Sequence, residues 1–75
     1  MSNLPSVSGL QAIAAFGRHG FQVVRTTGSH HILKKLGHQA TLSVPVHGNR
    51  ALKRGTLRGL VRQSGLTIDE FVALL

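Results

Sequence analysis

The 75-residue chain has no cysteine, tryptophan or tyrosine, and only two of its side chains are carboxylates, Asp69 and Glu70. Without cysteine there is no disulfide scaffold, thiolate zinc site or cysteine nucleophile. The two acids are adjacent near the C-terminus, so residues 1–68 carry no carboxylate side chain at all. That excludes paired-carboxylate acid–base catalysis, a carboxylate-clamped magnesium pair and a Ser-His-Asp triad. Chemistry here must run on histidine, hydroxyls, basic side chains or backbone amides. Long apolar runs are missing too. The stretch Leu10 to Phe16 is interrupted by Gln11 and is far too short to span a bilayer. The first ten residues lack the basic segment of a signal peptide, so the chain reads as soluble and cytoplasmic.

Positive charge and apolar content dominate what is present. Nine Lys and Arg face the two acids, for a net charge of +7 with the histidines neutral. Such an excess calls for a polyanionic partner: nucleic acid, an anionic membrane or an acidic protein. A membrane-binding helix wants bulky interfacial anchors, and the only aromatics are three Phe, so no membrane partner is expected. Nucleic acid leads, and an acidic protein is compatible with it. A hydrophobic fraction of 41% suffices for a folded core. With no repeat, linker or low-complexity segment, residues 1–75 read as one domain.

Periodicity and punctuation predict the order α-β-β-β-α-α. Ser6 or Ser8 caps a first helix carrying Leu10, Ile13, Ala14 and Gly17 at helical spacing, with Gly20-Phe21 as its stop. Three strands follow: Phe21–Thr26, His30–Leu36 and Ala40–Val46, separated by Thr27-Gly28-Ser29 and Gly37-His38-Gln39. Short loops make them an antiparallel meander. Pro45 has no N–H and belongs at a strand end or on a sheet edge. A second helix starts near Gly55-Thr56 with Leu57, Leu60, Val61 and Ser64 in phase, and Gly65 stops it. Thr67-Ile68-Asp69-Glu70 is a capping box for a terminal helix, with Leu66 and Phe71 as its staple. The fold class is therefore α+β, with helices on one face of a three-stranded antiparallel sheet.

Two features carry chemistry. In the first, Gly28-Ser29-His30-His31, a turn delivers a histidine to the start of a strand, where a ligand can reach it. Imidazole is the one side chain here suited to moving protons near neutral pH. Alternation assigns neither histidine: His30 shares a face with Ile32 and Lys34, His31 with Leu33 and Lys35. The second feature is basic: Arg50, Lys53, Arg54, Arg58 and Arg62. Arg54, Arg58 and Arg62 step by four along the second helix, without acids to pair with, and its N-terminus offers free N–H groups to phosphate. Neither zinc nor another metal is expected. The spacings of His30, His31, His38 and His47 match no familiar ligand pattern, and Ser29 has no acid to build a nucleophilic triad.

The chain resembles the HicA family of bacterial toxins, small ribonucleases of HicA–HicB type II toxin–antitoxin pairs. The resemblance rests on five segments in order: Leu4-Pro5-Ser6-Val7-Ser8-Gly9, Gly20-Phe21-Gln22-Val23-Val24-Arg25, Gly28-Ser29-His30-His31-Ile32-Leu33, Val44-Pro45-Val46-His47-Gly48-Asn49, and the run from Gly55 to Leu66. It implies a fold similar to the double-stranded-RNA-binding domain. It also implies an endoribonuclease that cleaves mRNA, needs no cofactor, and is neutralised by a HicB-like antitoxin. The family's functional histidine, which follows the Gly-Ser of the turn, falls on His30; some members carry it one residue later, at His31. In that reading His30 removes the proton of an RNA 2′-hydroxyl, and Lys34, Lys35 or Arg54 offsets charge on the phosphorane. The rival reading from composition alone is a non-catalytic RNA-binding module.

Overall fold

The computed structural model describes residues 3–75. Its first helix, α1 (Gly9–Arg18), begins at Ser8 rather than Ser6 because Gln11 completes a capping box there. The Ser8 hydroxyl accepts from the Gln11 N–H at 3.2 Å, and the Gln11 side chain accepts from the Ser8 N–H at 2.9 Å. The helix closes on a Schellman turn. Gly20, at φ +104°, donates to the Gly17 carbonyl, and Phe21 donates to that of Phe16. The Phe16 and Phe21 rings meet edge-on at 6.0 Å, the apolar contact such a turn uses.

Three strands follow, β1 (Gln22–Thr27), β2 (His30–Lys34) and β3 (Leu42–Pro45), antiparallel and in the order β1-β2-β3. Thr27 pairs with His30 across the two-residue loop Gly28-Ser29. Gly28 takes φ +56°, the left-handed position that a tight hairpin asks of its first loop residue. A bulge at Val24 shifts the register, so that Val23 pairs with Leu33 and Arg25 with Ile32. On the other side His30 pairs with Pro45, His31 with Val44 and Leu33 with Leu42. Pro45 accordingly closes an edge strand, where its missing N–H strands no partner.

The strands end earlier than periodicity predicts. β2 stops at Lys34, not Leu36, and β3 starts at Leu42, not Ala40, because their pairing reaches only from His30 to Leu33. Beyond it Leu36 is fully exposed (101%) beside Gly37, whose φ is +80°. β1 starts one residue late because the Phe21 N–H is engaged in the helix stop.

The second helix, α2 (Arg54–Ser64), starts at Arg54 with Lys53 as its N-cap and no side chain bonded to its first turn. It buries Leu57, Leu60, Val61 and Ser64, whose hydroxyl donates to the Val61 carbonyl at 2.6 Å. After Gly65 at φ +83°, the Thr67–Glu70 capping box forms as expected and starts α3 (Ile68–Ala73). Phe71 of α3 is fully buried, 5.0 Å from the Phe16 ring, and Arg18 caps the far end by donating to the Leu74 carbonyl at 2.7 Å.

One face of the sheet meets the helices. Leu33, Leu42 and Val44 are buried there with Leu4, Val7, Ala12, Ala15, Phe16, Phe21, Leu57, Leu60, Val61 and Phe71. Residues opposite one another share a face, so Arg25, Ile32 and Ser43, with Thr27, His30 and Pro45, form the outer face. Two backbone ties set the end of the sheet that matters below. Val46 donates to the Ser29 carbonyl and Leu52 to that of Val7, both at 2.7 Å. No helix among the described residues is long and apolar enough to cross a membrane.

Candidate nucleic-acid interface

Register places the two hairpin histidines on opposite faces of β2. His31 shares the core face with Leu33 and Val44, is half-buried, and its Nδ1 is buried without a hydrogen-bond partner. His30 lies on the open face and is exposed. Gly28 and Ser29 position it, through the hairpin and through the Ser29 carbonyl that anchors Val46.

Pro45, the cross-strand partner of His30, is also one wall of a cleft of about 410 Å³. His47, Arg50, Ala51, Leu52, Lys53 and Thr56 form the rest. A turn with Gly48 at φ +57° folds His47 over toward Arg50, whose N–H donates to the His47 carbonyl at 3.0 Å. Lys53 is the N-cap of α2, so the uncapped N–H groups of that helix open at the same place as two cations and an imidazole. Backbone donors, the helix dipole and cations together make an anion site. His47 and Thr56 were not among the site residues read from the sequence. Only the His30–Pro45 pairing brings them to the hairpin histidine.

The other basic residues divide by position. Arg54 donates to the Leu4 carbonyl at 3.1 Å, pinning the N-terminal segment to α2. Arg58 and Arg62, one and two turns further along, border a second cleft of about 460 Å³ with Asn3, Val61, Leu66, Thr67 and Ile68. Arginines four residues apart rise about 6 Å per step, so Arg54, Arg58 and Arg62 make one stripe along α2, on the flank that meets the N-terminal segment, and none of them lines the first cleft. Lys34 is exposed opposite Gln22, four residues and about 13 Å of strand from His30. Lys35 turns to the helix side, where its Nζ donates to His19 Nε2 at 3.1 Å and lies 5.9 Å from the Phe21 ring centre. The fold therefore sets His30 at the Pro45 end of the sheet, the end whose cleft holds Arg50 and Lys53, and leaves Lys34 and Lys35 at the other. Among the described residues no three His, Asp or Glu side chains converge as metal ligands would.

The family model described as "HicA toxin of bacterial toxin-antitoxin" matches residues 10–66, or 57 of the 75. The chain belongs to the HicA toxin family. The matched span takes in the hairpin, both of its histidines, the cationic cleft and all of α2. The α+β arrangement described above is the double-stranded-RNA-binding-domain-like fold of HicA toxins. Membership makes the protein the toxin of a toxin–antitoxin pair and implies a cognate antitoxin. No curated protein matches the chain.

Proposed function

We propose that this HicA toxin is an endoribonuclease that cleaves mRNA and so inhibits translation, with His30 as its general base and no metal in the reaction. The observation that carries this reading is the placement of an exposed imidazole across from Pro45, the wall of a cationic cleft at an uncapped helix start. RNA brings its own nucleophile. His30 takes the proton of a ribose 2′-hydroxyl, and the 2′-oxygen attacks the adjacent phosphorus. The P–O5′ bond then breaks to leave a 2′,3′-cyclic phosphate and a 5′-hydroxyl. Arg50, Lys53 and the free N–H groups of α2 meet the charge that builds on the phosphorane. Arg54, Arg58 and Arg62 hold neighbouring phosphates of the strand.

A carboxylate-free segment of 68 residues also suits control by an acidic partner. Charge steers such a partner to the same surface, so a HicB-like antitoxin covering His30 and the stripe competes with RNA.

Purified protein acting on an RNA oligonucleotide in EDTA tests the reading. Expected are 2′,3′-cyclic phosphate ends and a loss of about 10²–10⁴ in rate for His30→Ala. Products with 3′-hydroxyl ends, or complete dependence on added magnesium, overturn the mechanism. His31→Ala is the companion variant: if it alone abolishes cleavage, the base lies on the other face of β2. RNA that is bound but left whole reduces the protein to a non-catalytic RNA-binding module.

A further inference from the structure

The chain has five histidines, and the fold treats them differently. His19 Nε2 accepts from Lys35, and His38 Nε2 lies 2.7 Å from the Gln63 carbonyl, so both rings are engaged with the protein itself. His31 is half-buried with Nδ1 sealed off. His30 and His47 remain: both are exposed, and neither ring has a hydrogen bond to another described residue. Both also adjoin Pro45, His30 as its strand partner and His47 as its neighbour around the rim of the cationic cleft. Among the described residues these are the two exposed imidazoles without a hydrogen bond; His47 lines the cleft, and His30 adjoins it through its pairing with Pro45.

We propose that His47 is the general acid of the cleavage reaction, the partner of His30. The inference rests on the ribonuclease reading above and deepens it. Expulsion of the 5′-oxygen as an alkoxide is the difficult part of RNA transesterification, and no carboxylic acid stands in residues 1–68 to protonate it. His47 enters the step as the imidazolium. As the P–O5′ bond breaks, its proton passes to the departing oxygen, while His30 holds the proton taken from the 2′-hydroxyl. The ends are a neutral His47, a protonated His30, the cyclic phosphate and a 5′-hydroxyl, so atoms and charge balance.

An RNA whose scissile 5′-oxygen is replaced by sulfur separates this role from any other. A thiol is far more acidic than an alcohol, so the sulfur leaves without a proton. His47→Ala and His47→Gln are expected to slow cleavage of ordinary RNA by about 10²–10⁴ and to cleave the sulfur-substituted RNA within a few-fold of the unaltered protein. His30→Ala stays slow on both. Affinity for an RNA with a 2′-deoxy scissile nucleotide should change by less than about threefold in His47→Ala. The proposal is overturned if the His47 variants are equally slow on both substrates, if they cleave ordinary RNA normally, or if their loss is matched by a loss of affinity. An unaltered protein that cleaves neither substrate defeats the ribonuclease reading itself, which is a separate and visible failure.

Discussion

Replacing Gly9 by alanine is expected to destabilise the protein and disturb the site together, whereas the same substitution at Gly59 is expected to stabilise it. Gly9 is buried in the first turn of α1, against the end of β3. A methyl group there would collide with the Pro45 carbonyl oxygen and would stand 3.0 Å from Val46 Cγ2 and 3.2 Å from Val46 Cα. Two of these three neighbours are backbone and cannot rotate aside, so β3 must move. Overpacking of this kind costs about 1–3 kcal/mol. At Gly59, inside α2, a methyl group meets nothing within 4 Å. There only the helix preference for alanine operates, a gain of up to about 1 kcal/mol. The two variants should therefore differ by about 1–4 kcal/mol in urea unfolding, enough to separate their Tm values by about 4 °C or more in so small a domain. Because Pro45 faces His30 and walls the cleft, Gly9→Ala should also lose RNA cleavage beyond its loss of folded fraction. Equal stabilities for the two variants would refute the packing of α1 against Pro45 as the device that sets the site.

Arg58→Ala should weaken RNA binding roughly evenly across sequences and lower the slope of log affinity against log salt by about one phosphate contact. Thr67→Ala removes the hydroxyl that caps α3 and should cost about 1 kcal/mol in urea unfolding. Glu70 accepts from the Thr67 backbone N–H, which with the Thr67 hydroxyl holds its carboxyl below the ordinary range. A depressed carboxylate contributes stability above its unfolded pKa and loses it as pH falls through the lowered folded value. Glu70→Gln should therefore flatten the acid limb of urea midpoints measured against pH. Leu36→Asn, at a fully exposed position, should leave stability within about 0.5 kcal/mol.

Local signals were legible wherever a few neighbouring residues decide the geometry. The Thr67–Glu70 box, the Gly20-Phe21 stop and the Gly28-Ser29 hairpin all lie within three to five residues of the groups they bond, and the choice of Ser8 over Ser6 as first cap rests on Gln11, three residues on. Strand ends were less legible, because Leu36 and Ala40 have strand-compatible neighbours and only the limited overlap of β2 with β3 stops the ladder. The face of each histidine was illegible for a similar reason. Each side of β2 carries one aliphatic and one lysine, and the pairing of Leu33 with Leu42 decides between them. Lys35 read as a free cation, yet His19 and Phe21, far off in sequence, engage it. His47 read only as a histidine whose spacing fits no metal site, and the register of Pro45 against His30 is what connects its cleft to the hairpin.

Charge distribution ties these pieces together. With no carboxylate before Asp69, the cations of the cleft and of α2 cannot be neutralised from within the first 68 residues, and the helix start among them has no side-chain cap. Water meets these exposed donors in the free protein, and the positive charge gathered among them favours an anion from outside. Several polar groups elsewhere are answered internally: Ser64 by the Val61 carbonyl, His38 by that of Gln63, Lys35 by His19. On the proposed function this contrast is what selects the site. A phosphodiester drawn to the cleft reaches the two imidazoles that nothing in the fold engages. An acidic antitoxin drawn there by the same field excludes it, so inhibition should weaken as salt rises while staying competitive with RNA.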